Sequence, residues 1–179
     1  MNKSEELSRF QERCHQYFTC FTFATMGLQN VADKLRSRLV EGQDPSLFIG
    51  TGHPDQGKTH SRIKLRVAVA SSARDGEFSD TIDKSIIVAI FSEWEGLYRR
   101  KIAKEVGVEA KRVTSDLMGD LRIVRNWIVH SKSVVGKNCT RIKVLSWQLH
   151  QDQELKVTGQ MFSSLIDEIN AMSVEVRAV

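Results

Sequence analysis

Three residues in the second half of the chain, Arg125, Asn126 and His130, could together act on a phosphodiester. Asn126 and His130 are four residues apart, so they share one face if the segment is helical. The long Arg125 side chain can swing to the same side. Histidine can give or take a proton near neutral pH, arginine can hold a phosphate through two hydrogen bonds, and asparagine can orient either group. These parts suit cleavage of RNA by its own 2′-hydroxyl.

This chemistry predicts a role for each side chain. We expect His130 to act as general base or general acid, Arg125 to bind the phosphate and stabilise its developing charge, and Asn126 to orient them. Asp120 and Arg122 are weaker candidates at the edge of the same cleft. No nearby carboxylate cluster suits magnesium, so we expect neither a metal nor a cofactor. The alternative is that Arg125 and His130 are a surface or capping pair, since histidine near a helix end favours the dipole.

Residues 52–59, GHPDQGKT, match the phosphate-binding pattern GxxxxGK[ST] and offer a second, different chemistry. In such a loop the backbone amides cradle phosphates, the lysine reaches the outer phosphates and the hydroxyl holds magnesium. That arrangement requires a helix that opens at Lys58. The residues after Thr59 alternate between polar and apolar types, which indicates an extended segment. We therefore favour a polar loop with a chance match over a nucleotide site, which Lys58→Ala would destroy.

The elements that position these residues are mostly helices. Apolar residues recur at three- and four-residue steps in four segments, which is typical of amphipathic helices. We predict helices at about 5–40, at about 79–106, from the cap candidates Thr114 or Ser115 to His130, and at about 158–172. Asn2 or Ser4 can cap the first helix, Gly42 can close it and Gly107 can end the second. Period-two alternation predicts strands at about 62–69 and 141–148, with a loop between 70 and 77.

Composition limits the remaining possibilities. The chain has 179 residues, of which 41% are hydrophobic and 27% charged, with a net charge of +4. We expect a single domain, 1–179, with a long N-terminal helix (1–41), an irregular insertion (42–78) and a helical core (79–172) that carries the motif. The longest apolar run, at 86–91, is too short to span a bilayer. An acidic start and three cysteines without CxxC spacing suit the cytoplasm.

The Arg125-Asn126-x-x-x-His130 signature, late in a helix of a mainly α chain, resembles the HEPN superfamily (higher eukaryotes and prokaryotes nucleotide-binding). Members carry an arginine, a polar residue often asparagine, and a histidine a few residues later. The resemblance covers about residues 79–172, including SEWEGLYRR at 92–100 and GDLRIVRN at 119–126. It implies a helical bundle that forms a homodimer with two motifs facing one cleft.

Function follows from the same resemblance. Many relatives are metal-independent endoribonucleases of toxin–antitoxin, phage-defence or abortive-infection systems, so an antitoxin or regulatory protein is an expected partner. Others are non-catalytic RNA-binding or regulatory modules, and that alternative stays open. We therefore predict a mainly α, HEPN-like bundle with a small β and loop insertion at about 42–78.

A set of basic residues completes the expected site. Arg62, Lys64 and Arg66 lie on one side of the predicted extended segment, and Arg122 precedes the motif. We expect these four to bind the RNA backbone around the cleft, with a strong dependence on salt. The alternative is an ordinary solvated basic face.

Overall fold

The computed structural model describes residues 4–52 and 57–177 and confirms the mainly α class. The helices are α1 (Glu5–Arg36), α2 (Leu65–Ser72), α3 (Glu77–Glu93), α4 (Arg99–Glu105), α5 (Asp116–His130) and α6 (Gly159–Ala171). The strands are β1 (Ser46–Thr51), β2 (Lys58–Lys64), β3 (Val113–Thr114) and β4 (Glu175–Val176). β1 pairs with β2, and β3 pairs with β4, both antiparallel. None of the helices in the described ranges combines the length and apolar character needed to cross a membrane.

The chain divides into two compact units. The first comprises Met1–Phe21 and Asp80–Val179, and the second comprises Thr22–Ser79. The predicted insertion, 42–78, lies within the second unit, which also includes the C-terminal part of α1. The first unit contains α4, α5 and α6 and therefore the whole Arg125–His130 motif.

The first helix begins where its sequence predicts. The Ser4 hydroxyl accepts a hydrogen bond from the Leu7 amide at 3.2 Å and donates one to the Glu105 carboxylate at 2.6 Å. Glu105 also accepts from the amide of Glu5 at 3.0 Å, so two otherwise unpaired amides of the first turn are satisfied. This confirms Ser4 as a cap, whereas Asn2 lies outside the described residues.

The end of the first helix differs from the prediction. α1 ends at Arg36 rather than near residue 40, because tight turns replace the helical ladder there: the amide of Arg38 donates to the carbonyl of Leu35. Gly42 does have a positive φ of 76°, but it belongs to a separate turn and does not close the helix.

The core of the first unit is made from the predicted apolar stripes. Side chains from α1, α3, α5 and α6 are buried together, among them Phe10, Ile90, Leu121, Val124 and Phe162. The Phe10 ring packs against the rings of Trp94 and Tyr98, with centroids 5.3 Å apart in each pair. One face of α5 is thereby fixed in the core, and the opposite face remains at the surface.

The predicted second helix is one helical stretch with a change of winding. A π-helical turn, Trp94–Tyr98, joins α3 to α4. Gly107 ends the stretch as predicted, with φ at 71°. Its amide donates to the carbonyl of Lys104 and the Val108 amide to that of Ala103, which is the Schellman pattern.

Both strand predictions need correction. β2 ends at Lys64 and α2 begins at Leu65, so the predicted strand at 62–69 and loop at 70–77 are each partly helical. Leu65, Ala68 and Val69 are buried at helical spacing, and this period outweighs the alternation. The segment 141–148 contains no strand. Its backbone amides are bound by a side chain of α5 instead of by a neighbouring strand, as described below.

Candidate functional site

The helix that carries the motif is held by one buried face. α5 begins after Ser115, as predicted, and the Ser115 carbonyl accepts the Gly119 amide at 3.0 Å. The Ser115 side chain itself makes no capping bond. Leu117, Leu121 and Val124 are buried, as is Trp127. This places Asn126 and His130 on the exposed side of the helix and leaves Arg125 half-buried.

The structure brings the three motif side chains together through one nitrogen of the guanidinium group. Nη1 of Arg125 donates to Oδ1 of Asn126 at 3.0 Å and lies 3.0 Å from Nε2 of His130. An Nη nitrogen carries two protons, so both are directed to motif partners. Spacing alone predicts this convergence, and the structure shows it. The catalytic roles of these residues remain a prediction.

The contact between arginine and histidine fixes the imidazole tautomer. A guanidinium has only donors, so Nε2 of His130 has to be the acceptor. An imidazole that accepts this hydrogen bond carries its proton on Nδ1. On the other edge of Arg125, Nε is buried and has no hydrogen-bond partner among the described residues. A buried donor without a partner costs free energy, so this nitrogen reduces the stability of the folded chain.

The chain turns sharply directly after His130. Lys132 and Ser133 have positive φ values of 49° and 64°, which side chains other than glycine rarely adopt. The amides of Ser131 and Ser133 both donate to the carbonyl of Trp127. Trp127 Nε1 also donates to Oδ1 of Asn138 at 2.8 Å. The last turn of α5 is thus tied to the segment that follows, which limits where His130 can lie.

Asp120 has a structural role instead of the predicted place at a cleft edge. Its side chain is buried, and its carboxylate accepts the amides of Lys143 at 3.0 Å, Val144 at 2.6 Å and Leu145 at 3.1 Å. Lys143 also donates from Nζ to Asp116 at 2.7 Å, and this hydrogen bond raises the lysine pKa. Asp120 therefore holds the segment at 143–145 in place by accepting hydrogen bonds from its backbone amides.

The predicted RNA-binding residues fall into two groups. Arg122 is exposed on α5, one turn before Asn126. Arg62, Lys64 and Arg66 lie in the other unit, where Lys64 Nζ donates to the Asp44 carbonyl at 3.1 Å and Arg66 Nη2 donates to that of Val40 at 3.3 Å. Arg66 belongs to α2 rather than to an extended segment. That all four surround one cleft stays a prediction.

Sequence reasoning overlooked the residue that faces Arg62. The Arg62 guanidinium lies over the ring of Phe48, 5.8 Å from its centroid. Phe48 stands opposite Arg62 in the β1–β2 pairing. The apolar stretch at 47–49, followed by the alternation of β2, is the signal that could have predicted this hairpin and the pair.

The phosphate-binding match does not meet its structural requirement. Lys58 and Thr59 begin the exposed strand β2, so no helix opens at the lysine. Gly52 has a φ of 84° and ends the described part of the loop. The intervening residues, 53–56, lie outside the described residues. The chemistry of a P-loop needs amides at a helix N-terminus, and this segment lacks that helix.

The cysteines do not form a metal site in the described ranges, 4–52 and 57–177, where no group of three potential ligands converges. Cys14 is buried, and burial raises the pKa of its thiol to about 12. Cys20 is exposed.

Comparison of the chain with models of known protein families, with curated proteins and with solved structures found no match. The resemblance to the HEPN superfamily therefore stands on the motif and its place in the helix.

Proposed function

We propose that this protein is a metal-independent endoribonuclease of the HEPN type. The observation that carries the proposal is the single guanidinium nitrogen of Arg125 that contacts both Asn126 and His130 at 3.0 Å. An acid–base group, a phosphate-binding group and an orienting amide thus meet at the end of one helix. Asn126 and His130 are exposed, so a long substrate can reach them.

The reaction follows from the properties of these groups. A base removes the proton of a 2′-hydroxyl, O2′ forms a bond to the adjacent phosphorus, and the bond from phosphorus to O5′ breaks as an acid protonates O5′. The products are a 2′,3′-cyclic phosphate and a 5′-hydroxyl. Arg125 stabilises the charge that develops on the phosphoryl oxygens. A phosphate that draws Arg125 toward itself also frees Nε2 of His130 to accept the 2′-hydroxyl proton.

The second proton transfer requires another group. One chain supplies a single histidine at the motif, and we propose that a second copy of the chain supplies its own His130 in a homodimer. We place the enzyme in the cytoplasm, as its acidic start and cysteine spacing suggest, and in a toxin–antitoxin or phage-defence system, as the resemblance implies. An antitoxin or regulatory protein would restrain it there.

The test is cleavage of total and transfer RNA by purified protein in EDTA. We expect fragments with cyclic-phosphate or 3′-phosphate ends from the wild type, and a loss of about 10²-fold or more in rate for Arg125→Ala and for His130→Ala. His150→Ala is the matched control, because it removes another exposed histidine of the same unit and should cleave like the wild type.

Two results would contradict the proposal. Equal cleavage by the wild type and both motif variants would show that another group, or a contaminant, performs the reaction. RNA binding without cleavage, retained across several RNA substrates, would favour the non-catalytic RNA-binding module.

A further inference from the structure

The β1–β2 hairpin exposes most of its side chains. Four residues of β1 and six of β2 are exposed, and the two strands form a sheet of their own. Phe48 has 65% of its surface accessible to solvent, although a phenylalanine gains free energy when it is buried. A hairpin with an exposed aromatic ring and several cations is thus a candidate binding surface.

The pairing register gathers specific residues on one face. Phe48 pairs with Arg62 and Ser46 pairs with Lys64, on the regular side of the irregularity between Ile49 and Gly50. Since side chains alternate between the faces of a sheet, Phe48, Arg62 and Lys64 share one face and Ile49 points to the other. We call this face the Phe48 platform, and it consists of Phe48, Arg62 and Lys64.

The Phe48 ring contacts one cation and is otherwise largely exposed. The Arg62 guanidinium lies 5.8 Å from the ring centroid, within the range of a cation–π contact. Gly50, two residues further along β1, has no side chain that could cover the ring. A Cβ at position 50 would lie 2.2 Å from the Lys58 carbonyl oxygen, so glycine is required there.

We propose that the Phe48 platform binds single-stranded RNA, with one base stacked on Phe48 and the adjoining phosphates bound by Arg62 and Lys64. An open aromatic ring beside paired cations matches the two needs of an unpaired nucleotide, a stacking surface and positive charge. Duplex RNA keeps its bases stacked inside the helix and offers only the phosphates. This inference rests on the proposed nuclease function and specifies that its substrate is single-stranded RNA.

An anionic membrane surface is the other partner that cations and exposed apolar residues suggest, and the hairpin fits it less well. Membrane binding requires one continuous apolar surface. Here the two large exposed apolar residues of β1, Phe48 and Ile49, lie on opposite faces. The charge of Arg62 also lies directly over the ring that would have to enter the lipid.

Binding can be measured without cleavage. Wild-type protein is titrated into a fluorescent 2′-O-methyl oligouridine, which lacks the attacking hydroxyl, and into a 2′-O-methyl duplex as comparison. We expect the single strand to bind more tightly than the duplex, Phe48→Ala to raise the Kd about tenfold, and Phe48→Trp to preserve binding. Ile49→Ala is the matched control from the opposite face, 58% exposed, and should bind like the wild type.

Salt dependence tests the cations separately from the ring. Arg62→Gln and Lys64→Gln should each reduce the slope of log K against log salt by about 0.7, whereas Phe48→Ala should leave the slope unchanged. The proposal is overturned if Phe48→Ala and Ile49→Ala weaken binding equally, or if Phe48→Ala lowers only binding to phosphatidylserine vesicles.

The proposed function can fail independently of this binding site. Phe48-dependent binding by a protein that cleaves no RNA would contradict the nuclease and leave the platform intact. RNA cleavage by a protein whose RNA binding does not depend on Phe48 would support the nuclease and contradict the platform.

Discussion

Nη1 of Arg125 lies 3.0 Å from Nε2 of His130, the last residue of the same helix. The distance is that of a hydrogen bond, and only the imidazole can be its acceptor. The two side chains therefore contact each other in the absence of substrate, and the tautomer of His130 can be checked without an activity assay.

We predict that the neutral imidazole of His130 carries its proton on Nδ1, because Arg125 donates to Nε2. Nitrogen NMR of the histidine side chains at alkaline pH should show a protonated Nδ1 and an unprotonated Nε2 for His130. Arg125→Ala removes the donor, so Nε2 should become protonated in a measurable fraction of molecules. His15, whose Nε2 contacts Asn170 at 2.7 Å, is the internal control and should not change in that variant. An unchanged His130 signal would contradict the contact.

The sequence predicts the motif well because its geometry is local. Asn126 and His130 are four residues apart on a helix, and Arg125 is adjacent to the first, so no long-range contact is needed to bring them together. The helices can be predicted for the same reason, because the spacing of apolar residues along a helix is also local and indicates which face is buried.

The remaining features depend on contacts that spacing does not encode. The segment after the motif alternates like a strand, but Asp120, more than twenty residues earlier, accepts its amides. Leu65 continues an alternating pattern and yet begins a helix, because Ala68 and Val69 are buried on the same side of it. The Phe48–Arg62 pair similarly depends on the register of a hairpin that only the structure gives.

Asp120→Ala should destabilise the protein strongly. The substitution leaves the amides of Lys143, Val144 and Leu145 without their acceptor in a partly buried place, at a cost on the order of 3 kcal/mol in the free energy of unfolding. Urea denaturation measures this loss, and hydrogen exchange should show faster exchange of these three amides.

Asp116→Ala is the matched control for that prediction. Asp116 lies on the same helix and pairs with Lys143, but both side chains are about 60% exposed (59% and 62%). An exposed ion pair contributes less than about 1 kcal/mol. Equal losses in the two variants would mean that the buried carboxylate does not hold the segment.

Two glycine substitutions should have opposite effects on stability. Gly107 adopts φ of 71° at the end of α4, so Gly107→Ala should lower the free energy of unfolding by about 1 kcal/mol. Gly119 lies inside α5 with open space around its missing Cβ, so Gly119→Ala should raise it by up to about 1 kcal/mol. Thermal and urea denaturation of both variants test the pair. A loss of stability in Gly119→Ala would contradict the open space around this position.

The Glu105 cap predicts a dependence of stability on pH. The hydrogen bond from the Ser4 hydroxyl, together with that from the Glu5 amide, lowers the pKa of the Glu105 carboxyl below its usual value. A group whose pKa is lower in the folded state contributes stability above its unfolded pKa of about 4.3 and loses it as the pH falls through the folded value. The free energy of unfolding should therefore fall more for the wild type than for Glu105→Gln between pH 7 and pH 3.

Ser4→Ala removes the largest cause of the pKa shift of Glu105 and should give an intermediate fall in the free energy of unfolding. A wild type and a Glu105→Gln variant with parallel pH profiles would show that the cap adds no stability through the charge of Glu105.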